Sequence, residues 1–112
     1  MSDEKPDPAQ ELTIKQKKYL KGLAHPLSPV VKIGKEGLTE GLLQTIETEL
    51  LHHELIKVKI GSNSDVKKTE AAQLIPDQTA SALVQLIGKT LILYKANPKR
   101  QKDKRIIFKT GE

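Results

Sequence analysis

The residues best suited to bind a ligand form a short loop with two glycines, together with the approach to that loop. They are Lys32, Gly34, Lys35, Glu36 and Gly37. Because glycine has no Cβ atom, the backbone of another molecule can come close to the peptide groups here. The lysines add positive charge, and a helix that begins at Thr39 would point its free N–H groups at the same loop. This combination favours noncovalent binding of phosphate groups, as in a nucleic-acid backbone.

The two glycines also have an alternative role, because a G-x-x-G spacing occurs by chance in many unrelated turns. In that case the glycines serve only the backbone geometry. Both roles can hold together: we expect Gly34 to be needed mainly for the bend and Gly37 to allow the approach of the ligand. Glu36 works against binding, since a carboxylate in the loop would repel a phosphate unless it turns aside or pairs with Lys35.

A second group of cations precedes the loop, on a segment with the periodicity of a helix. Thr13 and Gln16 fit a capping box, and the predicted helix runs to about Gly22. At about 100° per residue, the apolar residues of one side are Tyr19, Leu20 and Leu23, and the lysines of the opposite side and its flank are Lys15, Lys17, Lys18 and Lys21. Such a lysine stripe is often only a solvated helix face. We favour contact with phosphates, because the stripe precedes the glycine loop and lacks intervening acids.

Other motifs do not support a catalytic or metal site. The Gly-Lys-Thr sequence at 88–90 resembles the end of a nucleotide-binding P-loop, but that motif requires an earlier glycine where this chain has Leu83. His52 and His53 are adjacent, so they would point in different directions on a helix, and a third metal ligand is not evident. No Ser, His and Asp spacing singles out a nucleophile. We therefore predict a protein that is not an enzyme and that uses no cofactor, metal ion or small-molecule substrate.

Length and composition indicate one small, basic domain. The chain has 112 residues, with 19 Lys and Arg against 14 Asp and Glu, and a net charge of +5. Residues 1–11 carry four acids and one lysine, a net charge of −3, so the rest of the chain carries +8. A basic body favours polyanionic partners. The chain has two Tyr, one Phe and no Trp, too few for recognition by base stacking on a sheet, so clamping of the backbone should dominate.

The absence of cysteine excludes a disulfide framework and is compatible with a reducing cytosol. No apolar run approaches the roughly 18 residues of a membrane span, and residues 1–11 lack the basic and apolar regions of a signal peptide. We expect a cytoplasmic monomer that does not contact membranes.

Hydrophobic periodicity predicts three helices and four strands in the order α-β-α-β-α-β-β. After the first helix, the predicted elements are a strand at 30–33, a helix from about 40 to 53, a strand at 55–60, a helix that Pro76 ends or kinks, and strands at 82–87 and 90–95. Each strand-helix-strand unit should make a right-handed crossover and a parallel pair, and the last two strands an antiparallel hairpin. The result is an α/β fold, a single compact domain with a mixed four-stranded sheet.

Two predictions concern the direction of side chains. The strand at 55–60 alternates apolar residues with Lys57 and Lys59, so these lysines should line an exposed face of the sheet. In the third helix, the expected inner residues are Val66, Ala71, Leu74 and Ile75.

By composition, the chain divides into three parts. Residues 1–11 should be a disordered acidic leader, residues 12–96 hold the folded domain, and residues 97–112 are a basic C-terminal tail. The tail has two interpretations: a solvated disordered segment, which we favour, and a basic arm that folds on RNA. Its apolar residues at 106–108 could add an edge strand or dock on a partner, and the sequence does not decide between these.

Three segments carry a family resemblance: LTIKQKKYLKGLAHPLSPVVKIGKEGLTEGLL, HHELIKVKI and IGKTLILYK, which span about residues 12–96. In this order they resemble the CRM (chloroplast RNA splicing and ribosome maturation) family, in particular its stand-alone bacterial YhbY-type members. The resemblance implies a domain similar to the C-terminal domain of translation initiation factor three. It also implies RNA binding through the loop at 34–37 and an adjoining basic surface, formed by the lysine stripe, His25 and Lys32.

Bacterial members of this family are associated with precursors of the large ribosomal subunit. The resemblance therefore implies a non-enzymatic RNA-binding protein that assists assembly of the large subunit (pre-50S), with rRNA as its partner. The alternative is a protein-binding module that docks on ribosomal proteins through the sheet face of Lys57 and Lys59 or through residues 106–108. An enzyme that acts on RNA has little support, because neither a metal-carboxylate cluster nor an activated nucleophile can be named.

Overall fold

Three helices and four strands follow one another in the predicted order, which confirms the predicted fold class. The computed structural model describes residues 12–108, so the predicted leader lies outside the described residues. The helices are α1 (Ile14–Ala24), α2 (Glu40–His53) and α3 (Lys68–Thr79), and the strands are β1 (Val31–Ile33), β2 (Leu55–Ile60), β3 (Ala82–Ile87) and β4 (Thr90–Tyr94). None of the helices in this part of the chain is both long and apolar enough to cross a membrane.

The four strands form one mixed sheet in the order β1-β2-β4-β3. β1 and β2 are parallel, and β4 pairs antiparallel with both β2 and β3. The predicted parallel pairing of β2 with β3 is therefore wrong, although the two strands run in the same direction. The two-residue turn at Gly88 and Lys89, where Gly88 has a φ of +57°, joins β3 to β4 in the predicted antiparallel hairpin. Of the two hairpin strands, β4 takes the place beside β2, and β3 lies at the edge of the sheet.

Helices cover both faces of the sheet, so the core has two parts. The larger cluster lies between the sheet and the helices α2 and α3, and β2 contributes Ile56, Val58 and Ile60 to it, as the alternation predicts. On the opposite face, Leu20 and Ala24 of α1 pack against β2, β3 and β4. The sheet face for which the alternation predicts exposure is thus partly covered by α1.

α1 begins as predicted and ends two residues later than predicted. The Gln16 N–H donates to Thr13 Oγ1 (3.0 Å) and the Thr13 N–H donates to Gln16 Oε1 (3.0 Å), which completes the capping box. The helix continues to Ala24, which is buried against the sheet. Leu23, predicted to face inward, is 39% exposed, so the inner side of α1 is centred on Leu20 and Ala24.

Pro76 does not end α3, which continues through it to Thr79. Proline lacks an N–H and so removes one hydrogen bond of the helix, but here the loss falls near the C-terminal end. Ile75 and Thr79, on either side of Pro76, are buried, and Thr79 Oγ1 donates to the Ile75 carbonyl (2.7 Å). Thr79 completes the inner side with Ala71, whereas Leu74, predicted to face inward, is 36% exposed.

Residues 97–108 lie against the domain, in contrast to the solvated tail that composition favours. They contain a short 3-10 helix, Lys102–Lys104. Ile106 and Phe108 pack on the cluster between α1 and the sheet. Burial of these apolar side chains is favourable and outweighs the tendency of the neighbouring charged residues to keep the segment in water. The described part of the tail is therefore folded onto the domain.

Candidate nucleic-acid interface

Two other connections leave the sheet at the same edge as the predicted binding loop. β1 and β2 are parallel, so the loop after β1 and the connection after β2 start at one edge. β4 is antiparallel to β2 and begins at this edge, so the turn between β3 and β4 lies there too. The first two connections lead into the N-terminal ends of α2 and α3. We call this region the loop edge; it comprises residues 34–39, 61–67 and 88–89.

Hydrogen bonds hold the connections of the loop edge together. The Gly61 N–H donates to the Ile33 carbonyl (2.8 Å), and the Ile60 N–H donates to the Lys89 carbonyl (2.8 Å). A Cβ atom at position 61 would lie 3.0 Å from the Ile33 carbonyl oxygen. Glycine at this position therefore lets the second connection pack directly against the end of β1.

The glycine loop is a tight turn that one hydrogen bond closes. The Gly37 N–H donates to the Gly34 carbonyl (3.1 Å), so Lys35 and Glu36 occupy the two central positions, where both are exposed. Gly37 has a φ of +77°, and a Cβ atom there would lie 3.5 Å from Val66 Cγ2. Gly34 has no positive φ, and a Cβ atom there would meet no described atom within 4 Å.

These geometries bear on which of the two glycines the bend requires. Gly37 makes the bend, because its left-handed φ is one that L side chains rarely adopt. Gly34 has no positive φ, and the space beside its Cα is open, so the bend does not require glycine at this position. The expectation that Gly34 serves mainly the bend is therefore wrong, and the approach of a ligand to Gly37 stays a prediction.

The N-terminal ends of α2 and α3 both lie at the loop edge, so the positive ends of two helix dipoles add to the charge of the lysines. Thr39 caps α2 as predicted, since its Oγ1 accepts the Leu42 N–H (3.0 Å). α3 begins after Lys67, whose side chain makes no capping hydrogen bond. The first N–H groups of α3 therefore receive no acceptor from the N-cap side chain, and phosphate oxygens are suitable acceptors for such groups.

Strand pairing brings lysines to this region that the sequence reasoning did not include in the binding site. Lys32 of β1 is in register with Lys59 of β2, so both side chains lie exposed on the same face of the sheet. Lys67 and Lys89 are exposed members of the loop edge itself. The alternation in β2 marked Lys59 as an outward residue, but only the pairing with β1 shows that it neighbours Lys32.

The lysine stripe lies on α1, and all four of its members are exposed: Lys15, Lys17, Lys18 and Lys21. His25 follows as the exposed C-cap residue of α1. Lys57 is not the exposed cation that was predicted, because it is half-buried and its Nζ donates to the carbonyls of His25 (3.3 Å) and Leu27 (3.0 Å). Lys57 thus fixes the connection that leads from the stripe to β1.

Glu36 remains a source of negative charge in the turn. Within residues 12–108, the ion pair is Glu54–Arg100 (3.1 Å), and Glu49 lies 3.4 Å from the His53 imidazole, so the pairing of Glu36 with Lys35 is not formed. Nowhere within residues 12–108 do three or more His, Cys, Asp or Glu side chains lie close enough together to hold a metal ion.

A family model described as the CRS1/YhbY (CRM) domain matches residues 12–95. The chain belongs to this family. Among its CRM relatives, a Haemophilus influenzae protein named RNA-binding protein is 51% identical over 84 residues, which cover 75% of this chain and 85% of that protein. A Pseudomonas aeruginosa protein named probable RNA-binding protein is 41% identical over 92 residues, which cover 82% of this chain and 88% of the relative.

A solved structure has a similar fold. A hypothetical RNA-binding protein of Staphylococcus aureus, solved in solution, matches with a TM-score of 0.68 and 38% sequence identity. The match covers 81% of this chain and 95% of the other. The CRM family model ends at residue 95, before the segment at 97–108 that packs on the domain.

Proposed function

We propose that this protein binds RNA and is not an enzyme: the loop edge holds the sugar-phosphate backbone, and the lysine stripe of α1 adds phosphate contacts. The observation that carries the proposal is the open space over Gly34, at an edge where exposed lysines and two helix N-termini meet. Backbone N–H groups and ammonium groups are the donors that position a nucleic-acid backbone. The names of the relatives, which are RNA-binding proteins, support the same class of ligand.

The proposed RNA is rRNA in precursors of the large ribosomal subunit, whose assembly the protein assists. This part of the proposal is supported by the resemblance to the bacterial members of the family. The chain's aromatic residues favour backbone contacts over base stacking, because the ring of Phe108 packs against those of Tyr19 and Tyr94 (5.9 and 5.8 Å between centroids). Tyr94 is buried and the other two rings are half-buried, so little aromatic surface is offered to bases, and sequence preference should be weak.

Replacement of Gly34 tests the loop without disturbing the fold. The Gly34→Asp side chain has space, so the circular dichroism spectrum and the melting temperature should not change. The carboxylate should block and repel the phosphate and remove one hydrogen bond to a charged group, which is worth about 1.5–3 kcal/mol. We expect RNA affinity, measured by fluorescence anisotropy with an rRNA transcript, to fall by roughly ten- to a hundredfold.

Gln73→Glu is the matched control, since it adds the same charge at an exposed position of α3. Its affinity should stay near that of the wild type. Equal affinities of Gly34→Asp and wild type would remove the loop from the binding site. Cosedimentation with large-subunit precursors extends the test to cells, where Gly34→Asp should be lost from the particles and Gln73→Glu retained.

Docking on ribosomal proteins is less well supported by the structure. Of the surfaces that it would use, Lys57 is engaged by two carbonyls, and Ile106 and Phe108 pack on the domain. Nuclease treatment separates the two functions. Association with ribosomal particles that survives complete digestion of the RNA would favour protein docking and count against the proposal.

A further inference from the structure

A buried carboxylate holds residues 97–108, which we call the strap. Glu54 is 0% exposed, and its oxygens accept the N–H of Asn97 (2.7 Å), the N–H of Ile106 (2.8 Å) and Arg100 Nη1 (3.1 Å). A buried charge is tolerated where hydrogen bonds replace its water, and all three of these bonds come from the strap. The strap therefore completes the environment of Glu54.

Aromatic contacts fix the far end of the strap on α1. The Phe108 ring lies edge-on to Tyr19 of α1 and to Tyr94 of β4. Ile106 packs on the same cluster. Because the strap is already folded, a partner that binds to it does not have to order it first.

The exposed ionisable side chains of the strap are mostly cationic. They are Lys99, Lys102, Asp103 and Lys104. Arg100 is paired with Glu54, so its charge is largely neutralised. Three lysines against one aspartate leave the outer surface of the strap positive.

The strap lies on the same face of the sheet as α1, and this face is basic. α1 carries four lysines and no acidic residue. Lys32 and Lys59 also point to this face, since Lys59 alternates in phase with Leu55, which packs in the cluster under α1. α2, on the opposite face, carries three glutamates and no lysine or arginine. A polyanion is therefore drawn to the face that α1 and the strap share.

The strap and the loop edge lie at opposite edges of the sheet. β4 ends at Tyr94, which pairs with Leu55 at the start of β2, whereas the loop edge follows the end of β2. We propose that the strap is a second RNA-backbone site, so that RNA bound at the loop edge continues across α1 and reaches the strap. This inference rests on the proposed function and adds a partner surface outside the family domain.

RNA length separates the two sites. The molecule measures 41 × 37 × 23 Å along its principal axes, so an RNA that contacts both of these opposite edges of the sheet has to extend over most of the length of the molecule. An oligonucleotide of about four residues, the length that a G-x-x-G loop clamps in KH domains, would occupy the loop edge alone. Only the longer RNA should respond to changes in the strap.

The test uses the full chain with the double variant Lys102→Gln/Lys104→Gln, whose positions are exposed and carry no packing role. The matched control, Gln44→Glu/Gln73→Glu, lowers the net charge equally on exposed positions of α2 and α3. With a long RNA hairpin, the log–log salt slope of the strap variant should fall by about 0.7–0.9 for each phosphate that the strap no longer binds. The control should keep the wild-type slope, and neither variant should change binding of the short oligonucleotide.

An unchanged slope with the long RNA overturns the strap site. If Gly34→Asp still weakens RNA binding in the same assay, the proposed function stands without the strap. If neither Gly34→Asp nor the strap variant changes RNA binding, both proposals are overturned. A third outcome concerns proteins. If Lys102→Gln/Lys104→Gln keeps the wild-type salt slope but loses an association with ribosomal particles that the wild type retains after nuclease treatment, the strap binds a protein partner instead.

Phe108→Ala tests whether the folded state of the strap matters, because it keeps every cation and removes the ring that contacts α1. Hydrogen exchange of the Asn97 and Ile106 amides should become faster, and affinity for the long RNA should fall several-fold while binding of the short oligonucleotide is kept. Unchanged affinity with faster exchange would overturn the role of the ordered strap.

Discussion

The two glycines of the loop differ in what the backbone conformation requires of them. Gly37 has a φ of +77°, in a region that costs an L-residue roughly 1–2 kcal/mol, so the turn itself requires glycine there. Gly34 is under no such requirement. A side chain at Gly34 should therefore affect binding without affecting stability, and a side chain at Gly37 should affect both.

Glu36 is the one acid among the residues of the glycine loop, and its removal should strengthen RNA binding. Glu36→Gln keeps the size of an exposed side chain and removes its repulsion of a phosphate, which is worth about 0.2–1 kcal/mol at a solvated position. We expect a gain in affinity of about two- to fivefold, measured at low salt. Glu47→Gln, the same change at an exposed position of α2, should leave affinity near that of the wild type. A gain that is equal in both variants would mean that net charge, and not the loop, sets the affinity.

At this scale, the sequence predicted which residues form the loop but not the role of each. The spacing of Gly34 and Gly37 indicated a turn, because glycine is typical of tight turns and can be recognised from a short stretch of sequence. The φ of each glycine depends on the folded turn, and the residue type does not specify it: Gly37 has a φ of +77°, whereas Gly34 has no positive φ. Lys59 was missed for a similar reason, since its closeness to Lys32 is a property of strand pairing.

At the scale of elements, helices and strands were predicted well where local periodicity determines them. The capping residues Thr13 and Thr39 were predicted because capping hydrogen bonds join residues that are three apart. The continuation of α3 through Pro76 was not, because burial of Ile75 and Thr79 against the sheet offsets the local cost of proline. The position of β4 between β2 and β3 likewise depends on packing that no short segment contains.

The four lysines of the stripe lie on one helix, and each of them should contribute separately to the salt dependence of RNA binding. Lys18→Ala and Lys21→Ala each remove one exposed cation from α1, and alanine is a good helix former, so the fold should be kept. Each variant should reduce the log–log salt slope by about 0.7 on single-stranded RNA. Gln44→Glu, which changes the net charge equally on α2, should keep the slope. Wild-type slopes in both lysine variants would show that the stripe is only a solvated helix face.

At the scale of the whole molecule, Glu54 and the apolar cluster between α1 and the sheet join segments that are far apart in the chain. Glu54 accepts hydrogen bonds from residues 43 to 52 positions away, and it adopts a φ of +64° at the end of α2. In the sequence, a glutamate after two histidines indicates only a polar helix end. The folded strap could not be predicted, because its stability comes from Glu54, Tyr19 and Tyr94 and not from its own composition.

Tyr94 makes the stability of this cluster sensitive to alkaline pH. Burial raises the pKa of the Tyr94 phenol above its usual 10.0, the nearby Glu54 carboxylate raises it further, and Arg105 partly offsets the effect. The folded protein thus holds this proton more tightly than the unfolded chain, so the stabilisation is complete below about pH 10 and is lost as the pH rises through the folded pKa.

The loss should show as a falling melting temperature, with a slope of at most about 1.4 kcal/mol per pH unit from this group between its unfolded and folded pKa values. Tyr94→Phe keeps the ring that contacts Phe108 and removes the phenol, so its melting temperature should fall less than that of the wild type between about pH 9 and pH 11. Tyr19→Phe, at the other ring that contacts Phe108, provides the control for removal of a phenol from the same cluster. Parallel curves for wild type and Tyr94→Phe would show that Tyr94 does not couple folding to its proton, and that other groups cause the alkaline loss.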